Sequence, residues 1–122
     1  MCRLRKCLLL LDGGTTNTRF TLVENNQILA QSQCRTGAVD AAQEGQNHLL
    51  QAAVRQEMNA LQNRWDCSIE EIYAAGMITS DTGLCEIKHI EAPVDLFRLA
   101  ASVQVRTLPE ISNVPFCFVP GI

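Results

Sequence analysis

Hydrophobic and polar positions predict three consecutive strands near the start of the chain. Residues 7–11 form an unbroken apolar run between charged residues and glycines, which is typical of a central strand covered on both faces. Residues 18–23 alternate between apolar and polar side chains, as expected for a strand paired beside it. Asn25 and Asn26 tolerate the positive φ angles of a tight turn, and a third strand over 28–34 follows. We expect these strands to be antiparallel.

The periodicity then changes to that of a helix. Apolar residues recur at steps of three or four along one predicted helix face: Leu50, Val54, Met58, Leu61 and Trp65. Asp40 or Asn47 is expected to cap this helix, because short polar side chains accept hydrogen bonds from the first free N–H groups.

The remainder of the chain predicts shorter elements. Residues 69–78 indicate a buried strand, residues 84–90 alternate as a further strand, residues 94–103 suggest a short helix and residues 114–119 another strand. This order predicts one α/β domain, with a mixed sheet of three antiparallel strands and then helix-strand units. A length of 122 residues leaves too little chain for two conventional cores.

Composition narrows the class of protein. With 47% hydrophobic and 19% charged residues the chain is expected to fold, and a net charge of -3 without a basic block argues against nucleic-acid binding. The basic residues 1–6 and the apolar residues 7–11 imitate a signal peptide, but Asp12 ends the run too early. We expect a cytoplasmic protein without membrane contact.

The six cysteines form no CxxC pair and are expected to be reduced and buried.

The most informative chemistry follows the first strand. Asp12 closes it, and Gly13, Gly14, Thr15 and Thr16 follow directly. Glycines permit a sharp turn whose N–H groups point outward to phosphate oxygens, and the threonines add hydroxyl donors. A carboxylate at a strand end suits Mg²⁺, which prefers oxygen ligands. The alternative is an ordinary hairpin in which Asp12 and the threonines cap the turn.

Other phosphate-binding motifs are excluded. The lysines are Lys6 and Lys88, and neither follows a glycine-rich loop as a Walker motif requires. The glycine loop is predicted to join two strands of a hairpin, so its amides would bind phosphate without the helix N-terminus that a Rossmann fold provides.

Several segments beyond this loop also resemble a known family. The matching positions are the segments 12–19, 75–80 and 83–84, together with Glu86, His89, Pro93, Pro120 and Gly121. They resemble the 2-dehydro-3-deoxygalactonokinase family of the actin-like ATPase superfamily, whose first phosphate loop joins two strands. One departure is Gly13, where the family commonly carries a bulky aromatic residue, and we expect it to loosen the turn.

The resemblance implies an ATP-dependent kinase that converts 2-dehydro-3-deoxy-D-galactonate to its 6-phosphate in galactonate catabolism. ATP and Mg²⁺ are the implied cofactors, with Asp12 as the metal ligand and the residues at 12–17 around the phosphates. The nucleotide-binding set is Asp12, Gly13, Gly14, Thr15, Thr16 and Asn17. Residues 1–122 would form the N-terminal actin-like (ribonuclease H-like) domain, without the C-terminal domain, and the catalytic base is expected beyond Ile122.

Two residues are candidates for substrate contacts, Arg19 from its position after the loop and Ser80 from the resemblance. Arg19 is expected to pair with the substrate carboxylate, or else to lie on the polar face of its strand. Ser80 is expected to donate to a sugar hydroxyl, or else to cap its loop. Asp81 is a candidate for the catalytic base, but we expect it to be a solvated loop residue instead. His89 is expected to be structural.

Two other functions stay open from the sequence. One is a stand-alone, non-catalytic actin-like binding or interaction module, and the other is a different sugar kinase of the same superfamily. If the chain occurs alone, apolar surface that the C-terminal half would otherwise cover is expected to favour a homodimer.

Overall fold

The computed structural model describes residues 5–35, 48–79 and 84–121. The strands of these segments are β1 (Arg5–Gly13), β2 (Thr18–Glu24), β3 (Gln27–Cys34), β4 (Cys67–Gly76), β5 (Gln104–Arg106) and β6 (Phe116–Phe118). The helices are α1 (His48–Trp65) and the short α2 (Leu96–Ala101), with a 3-10 turn at Met77–Thr79.

The described strands form one mixed sheet in the order β3-β2-β1-β4-β6-β5. β1 and β2 are antiparallel, as are β2 and β3, which confirms the predicted hairpins. β4 lies parallel to β1, and β6 lies parallel to β4. The predicted mixed α/β architecture is therefore confirmed. The turn between β2 and β3 is the expected one, because Asn25 and Asn26 have φ angles of 52° and 62°.

The sheet has a covered face and an open face. On β1, Cys7, Leu9 and Leu11 are buried, whereas Leu10 and Asp12 are exposed, as strand alternation dictates. The neighbouring strands add to the covered face the buried side chains Phe20, Leu22, Ile72, Ala74, Phe116 and Phe118. The open face carries a row of paired residues that runs Gln31, Thr21, Leu10, Tyr73, Cys117 and Val105 across the six strands.

Helix α1 packs on the covered face and shares its hydrophobic core. The predicted stripe is confirmed, since Leu50, Val54, Met58 and Leu61 are buried, and Trp65 is half-buried. The two predicted caps, at positions 40 and 47, lie outside the described residues.

Polar contacts also attach α1 to the sheet. The hydroxyl of Ser32 on β3 donates to Glu57 Oε1 at 2.8 Å. The backbone N–H of Ile69 on β4 donates to Gln62 Oε1 at 3.1 Å. Both contacts connect α1 to strands on opposite sides of β1, and so fix where the helix lies.

The expectation that β1 is covered on both faces is wrong for the described residues. Leu10 keeps 40% of its surface exposed, and Leu8 is only half-buried. An unbroken apolar run does not distinguish a strand that is covered on both faces from one that is covered on a single face. Both kinds of strand accommodate leucine on the second face.

Two further predictions are wrong or incomplete. Residues 84–90 form no strand, because Leu84 and Ile87 are buried three positions apart and their N–H groups bond to Ile78 and Thr79 of the 3-10 turn. The helix predicted over 94–103 is shorter, and strand β5, which the sequence pattern did not indicate, follows it.

Helix α2 begins at a well-formed cap. Asp95 is extended, and its carboxylate accepts a hydrogen bond from the N–H of Arg98 at 2.8 Å. The side chains of Leu96 and Phe97 are 81% and 88% exposed. These two apolar side chains of α2 are therefore not part of the core.

The described cysteines form no disulfide. Cys7 and Cys67 are buried, while Cys34, Cys85 and Cys117 are half-buried, so the prediction of buried thiols is only partly correct. Burial, with a hydrogen bond involving Cys67, raises the pKa of Cys7 to about 12. No helix in the described segments is both long enough and apolar enough to cross a membrane.

Candidate functional site

Three strand ends define the candidate site. β1, β4 and β6 run parallel to one another, so their carboxyl ends lie at the same edge of the sheet. These ends are Gly13, Gly76 and Phe118. Ligands of open α/β sheets bind outside the carboxyl ends of parallel strands. The glycine loop therefore lies at the edge where a ligand is expected.

Asp12 is the charged group at this edge. It is exposed on the open face and is paired with Arg19 of β2 on one side and with Ala75 of β4 on the other. A rigid strand thus positions the carboxylate while solvent still reaches it. The predicted placement of Asp12 at the end of a strand is confirmed by this geometry.

The β1–β2 loop is a tight turn. The N–H of Gly14 donates to the carbonyl of Asn17 at 2.7 Å. This bond corrects the expectation that the glycine N–H groups point outward, because that of Gly14 is used to close the loop. Thr15 and Thr16 are exposed at its tip. The side-chain N–H of Asn17 donates to Thr16 Oγ1 at 3.2 Å, leaving the Thr16 hydroxyl hydrogen available to a ligand.

Gly76 brings the end of β4 into close contact with Asp12. Its φ angle is +80°, a conformation that glycine adopts without strain. A Cβ at this position would lie 2.6 Å from the carbonyl oxygen of Gly13 and 2.8 Å from Asp12 Oδ1. Only glycine therefore permits this approach of backbone to carboxylate. The sequence pattern did not reveal that role, although a glycine at the end of a buried strand is a usable signal.

Gly13 has a packing role instead of the loosening effect we expected. It is buried within β1 and paired with both Thr18 and Gly76. A Cβ at Gly13 would collide with the side chain of Ile78 and would lie 2.8 Å from its backbone nitrogen. Ile78 therefore occupies the space that a larger residue at Gly13 would need, and the turn stays tight.

The 3-10 turn contacts the loop directly. The hydroxyl of Thr15 donates to the sulfur of Met77 at 3.3 Å, and the hydroxyl of Thr79 donates to the carbonyl of Gly76 at 2.9 Å. Met77 is 37% exposed. A thioether is a weak acceptor, so it can orient Thr15 and still release that hydroxyl to a stronger acceptor. This role of Met77 was not predicted from the sequence pattern.

The segment after β6 closes the same edge. The N–H of Val119 donates to the carbonyl of Ala74 at 2.8 Å, and that of Ile90 donates to the carbonyl of Gly121 at 2.9 Å. A Cβ at Gly121 would lie 3.0 Å from Nε2 of His89. His89 is exposed and lies beside Gly121, and its structural role stays a prediction.

The predicted substrate-binding residues divide into two groups. Arg19 is exposed on the open face beside Asp12, and it forms no ion pair with an acidic residue among the segments described here. Ser80 and the weaker candidate Asp81 lie outside the described residues. The substrate-binding role of Arg19 therefore stays a prediction.

Asp12 is not part of a metal-binding cluster among the described residues. No group of three or more His, Cys, Asp or Glu side chains able to hold a metal ion occurs within residues 5–35, 48–79 and 84–121. A single carboxylate binds a divalent cation weakly on its own. It suits Mg²⁺ that retains waters and arrives together with phosphate oxygens.

Comparison with known proteins agrees with the motifs. Among curated proteins, no relative matches this chain. A solved structure from Sinorhizobium meliloti, assigned as a 2-dehydro-3-deoxygalactonokinase protein, matches with a TM-score of 0.70 and 18% identity. The match covers 94% of this chain and 34% of that one, so this chain spans about a third of its length. The family model described as 2-keto-3-deoxy-galactonokinase matches residues 12–122. The chain therefore belongs to the 2-keto-3-deoxy-galactonokinase family.

Proposed function

We propose that this chain is the phosphate-loop domain of an ATP-dependent sugar-acid kinase with an actin-like fold. The observation that carries the proposal is the exposed Asp12 carboxylate at the parallel-strand edge, beside a tight loop with two exposed hydroxyls and against a glycine backbone. Family membership and the solved relative support the same assignment. The proposed substrate is 2-dehydro-3-deoxy-D-galactonate, and the proposed product is its 6-phosphate.

The loop residues have different roles in nucleotide binding. The hydroxyls of Thr15 and Thr16 donate to phosphate oxygens, Thr15 by leaving the weak acceptor Met77. Gly14 and Asn17 close the turn that presents these hydroxyls. Gly13 contributes through its packing against the 3-10 turn, because it leaves no side chain in the way.

Asp12 is the residue that would hold Mg²⁺. The chemistry fits, since one exposed carboxylate beside a phosphate site matches the preference of Mg²⁺ for few carboxylates, retained waters and phosphate oxygens. When bound, the ion neutralises phosphate charge and so assists transfer of the terminal phosphoryl group. Asp12 itself orients the bound ion from a strand held rigid on both sides.

Arg19 is the proposed partner of the substrate carboxylate. It lies one strand away from Asp12 on the same open face, and a guanidinium binds a carboxylate through two parallel hydrogen bonds. Ser80 is proposed as a donor to a substrate hydroxyl on the strength of the family motif alone. We assign the catalytic base to none of the described residues.

Binding of Mg-ATP to the 122-residue chain tests this function without requiring turnover. In ¹⁵N-¹H correlation spectra, Mg-ATP is expected to shift the amides of the 14–17 loop and of the 3-10 turn. Asp12→Asn removes the charge at nearly constant shape, and we expect it to weaken Mg-ATP binding at least about tenfold, since charge-assisted contacts are the strong ones.

Asp95→Asn is the matched control. Asp95 is an exposed carboxylate that caps α2, and asparagine is an equally good N-cap residue. The control should therefore bind Mg-ATP as the parent does. Equal binding by the Asp12→Asn variant, or shifts located away from the loop, would contradict the proposal.

A further inference from the structure

A groove of about 350 Å³ lies on the open face at its β2–β3 end. It is lined by Arg19, Phe20, Thr21, Gln31, Ser32 and Gln33. Its volume is in the range of small-molecule sites. No role described so far involves the two glutamines.

Strand register places this groove next to Asp12. Arg19 is paired with Asp12 on β1 and with Gln33 on β3, so these three residues form one row across the open face. Thr21 and Gln31 are paired in the next row on the same face. Neighbouring strands lie about 4.8 Å apart. The groove thus begins one strand away from the proposed phosphate site.

The lining is polar and carries one positive charge. Arg19 forms no ion pair within the described segments, so its guanidinium can receive an anionic oxygen. Each glutamine amide both donates and accepts hydrogen bonds, as does the hydroxyl of Thr21. Sugar hydroxyls also donate and accept, whereas ionised phosphate oxygens only accept. This set of groups therefore matches a hydroxylated carboxylic acid better than a phosphate.

The other two lining residues do not favour a nucleobase. Phe20 is fully buried on the covered face, so its ring is not available for stacking in the groove. The Ser32 hydroxyl is already bonded to Glu57 of α1. Their contribution is to the floor of the groove, and the four remaining side chains determine what binds.

We propose that this groove is the sugar-acid subsite, in which Gln31 and Gln33 select the substrate by its hydroxyl groups while Arg19 binds its carboxylate. This inference deepens the proposed function and depends on it. In this arrangement the acid lies along the open face beside Asp12, with its carboxylate at Arg19 on β2 and its hydroxyl groups against Gln31 and Gln33 on β3.

The test is a titration of the ¹⁵N-labelled 122-residue chain with D-galactonate as the probe. Two further ligands separate the possible sources of binding: D-galactose, which lacks the carboxylate, and inorganic phosphate. We expect D-galactonate to shift the amides of β2 and β3 around the groove. D-Galactose and phosphate should each bind at least about tenfold more weakly, because each lacks one of the two recognised features.

Substitutions assign the effect to individual side chains. Gln31→Leu and Gln33→Leu should each weaken D-galactonate binding about three- to tenfold, the usual effect of losing one neutral hydrogen bond. Gln27→Leu is the matched control, because Gln27 is an exposed glutamine on the same strand outside the groove. It should bind D-galactonate with the parent affinity. If a leucine variant fails to fold, Gln31→Glu or Gln33→Glu preserves the shape and should repel the carboxylate.

The outcomes separate this inference from the proposed function. Phosphate binding in the groove as tightly as D-galactonate, and displacing it, would overturn the inference in favour of a phosphate site. Equal binding of D-galactose, shifts outside the groove, or no D-galactonate binding at all would also overturn it. Loss of Mg-ATP binding in the Asp12→Asn variant is measured separately, so failure of the phosphate loop would be recognised independently of the groove.

Discussion

The covered and open faces of the sheet are formed by the same strands and differ in what packs against them. On β1, the side chain of Leu9 is fully buried, whereas the adjacent Leu10 keeps 40% of its surface exposed. Across the covered face the neighbours are aliphatic and aromatic, including the stacked rings of Phe116 and Phe118 at 5.7 Å. On the open face, apolar residues alternate with amides, hydroxyls and charged groups.

This difference separates stability from chemistry. The candidate functional side chains Asp12, Arg19, Gln31 and Gln33 all belong to the open face. The packing that holds their strands in register lies on the other side. Substitutions on the open face are therefore expected to change binding at little cost in stability, and substitutions on the covered face to do the reverse.

The largest expected effect comes from two adjacent leucines. Leu9→Ala removes a fully buried side chain, and we expect it to lower the free energy of unfolding by about 2–5 kcal/mol. Leu10→Ala should cost at most about half as much, because solvent fills the space and no closed cavity forms. Urea unfolding followed by circular dichroism measures both. Equal losses would mean that the open face is covered in solution.

The next effect concerns Gly76, where the end of β4 contacts the Asp12 carboxylate. Gly76→Ala places a Cβ at a φ of +80° and against Asp12 Oδ1, and we expect a loss of stability of about 1–3 kcal/mol. Because the Cβ displaces the carboxylate, Mg-ATP binding should weaken as well. Gly14→Ala is the comparison for stability, since among the described residues its Cβ would approach the Asn17 carbonyl oxygen alone, at 3.1 Å. A Gly76→Ala chain with parent stability would contradict this account.

Sequence periodicity predicted the elements with long or regular patterns. The β2–β3 hairpin, the α1 stripe and the mixed sheet followed from alternation, the Asn25-Asn26 turn and helical spacing. The strand predicted at 84–90 was wrong, because the carbonyls that receive its N–H groups belong to the 3-10 turn. A nonlocal hydrogen bond of this kind leaves no periodic signal in the segment itself.

The site was predictable only in part for a similar reason. Asp12 and the loop were predictable because their residues follow one another directly in the sequence at the end of one strand. Met77, Gln31 and Gln33 were missed, since their positions beside Thr15 and Arg19 depend on turn geometry and strand register. The close approach of Gly76 to Asp12 likewise requires the parallel pairing of β1 with β4.

A smaller effect depends on pH and on the buried thiol of Cys7. Burial raises its pKa from 9.0 to about 12, so the unfolded chain loses this proton at lower pH than the folded chain does. The contribution of the Cys7 thiol to the free energy of unfolding is therefore constant well below pH 9 and falls as the pH rises from 9 toward 12. At pH 10 this one group should lower the free energy of unfolding by roughly 1 kcal/mol, the order of one pKa unit.

Urea unfolding at pH 8 and pH 10 measures this contribution. The Cys7→Ala variant should lose less stability between these two pH values than the parent does, whatever its stability at pH 8. Leu11→Val is the control, because it changes the same face of β1 without removing a titratable group, and it should keep the parental pH dependence. The same dependence in all three chains would show that the Cys7 thiol is not protected from ionisation by burial.

The smallest expected effect tests whether the open face is free in solution. Val105 is 57% exposed at the end of the open-face row, and Val105→Thr keeps its shape and β-branching. We expect it to change the free energy of unfolding by less than about 0.5 kcal/mol. The same substitution at the fully buried Val54 of α1 should cost about 1–3 kcal/mol, because it buries a hydroxyl group.

The homodimer expected from the sequence makes a different prediction, since pairing of two open faces would bury Val105. Its substitution would then destabilise the chain increasingly as protein concentration rises, and sedimentation at the same concentrations would show the parent associating more strongly than the variant.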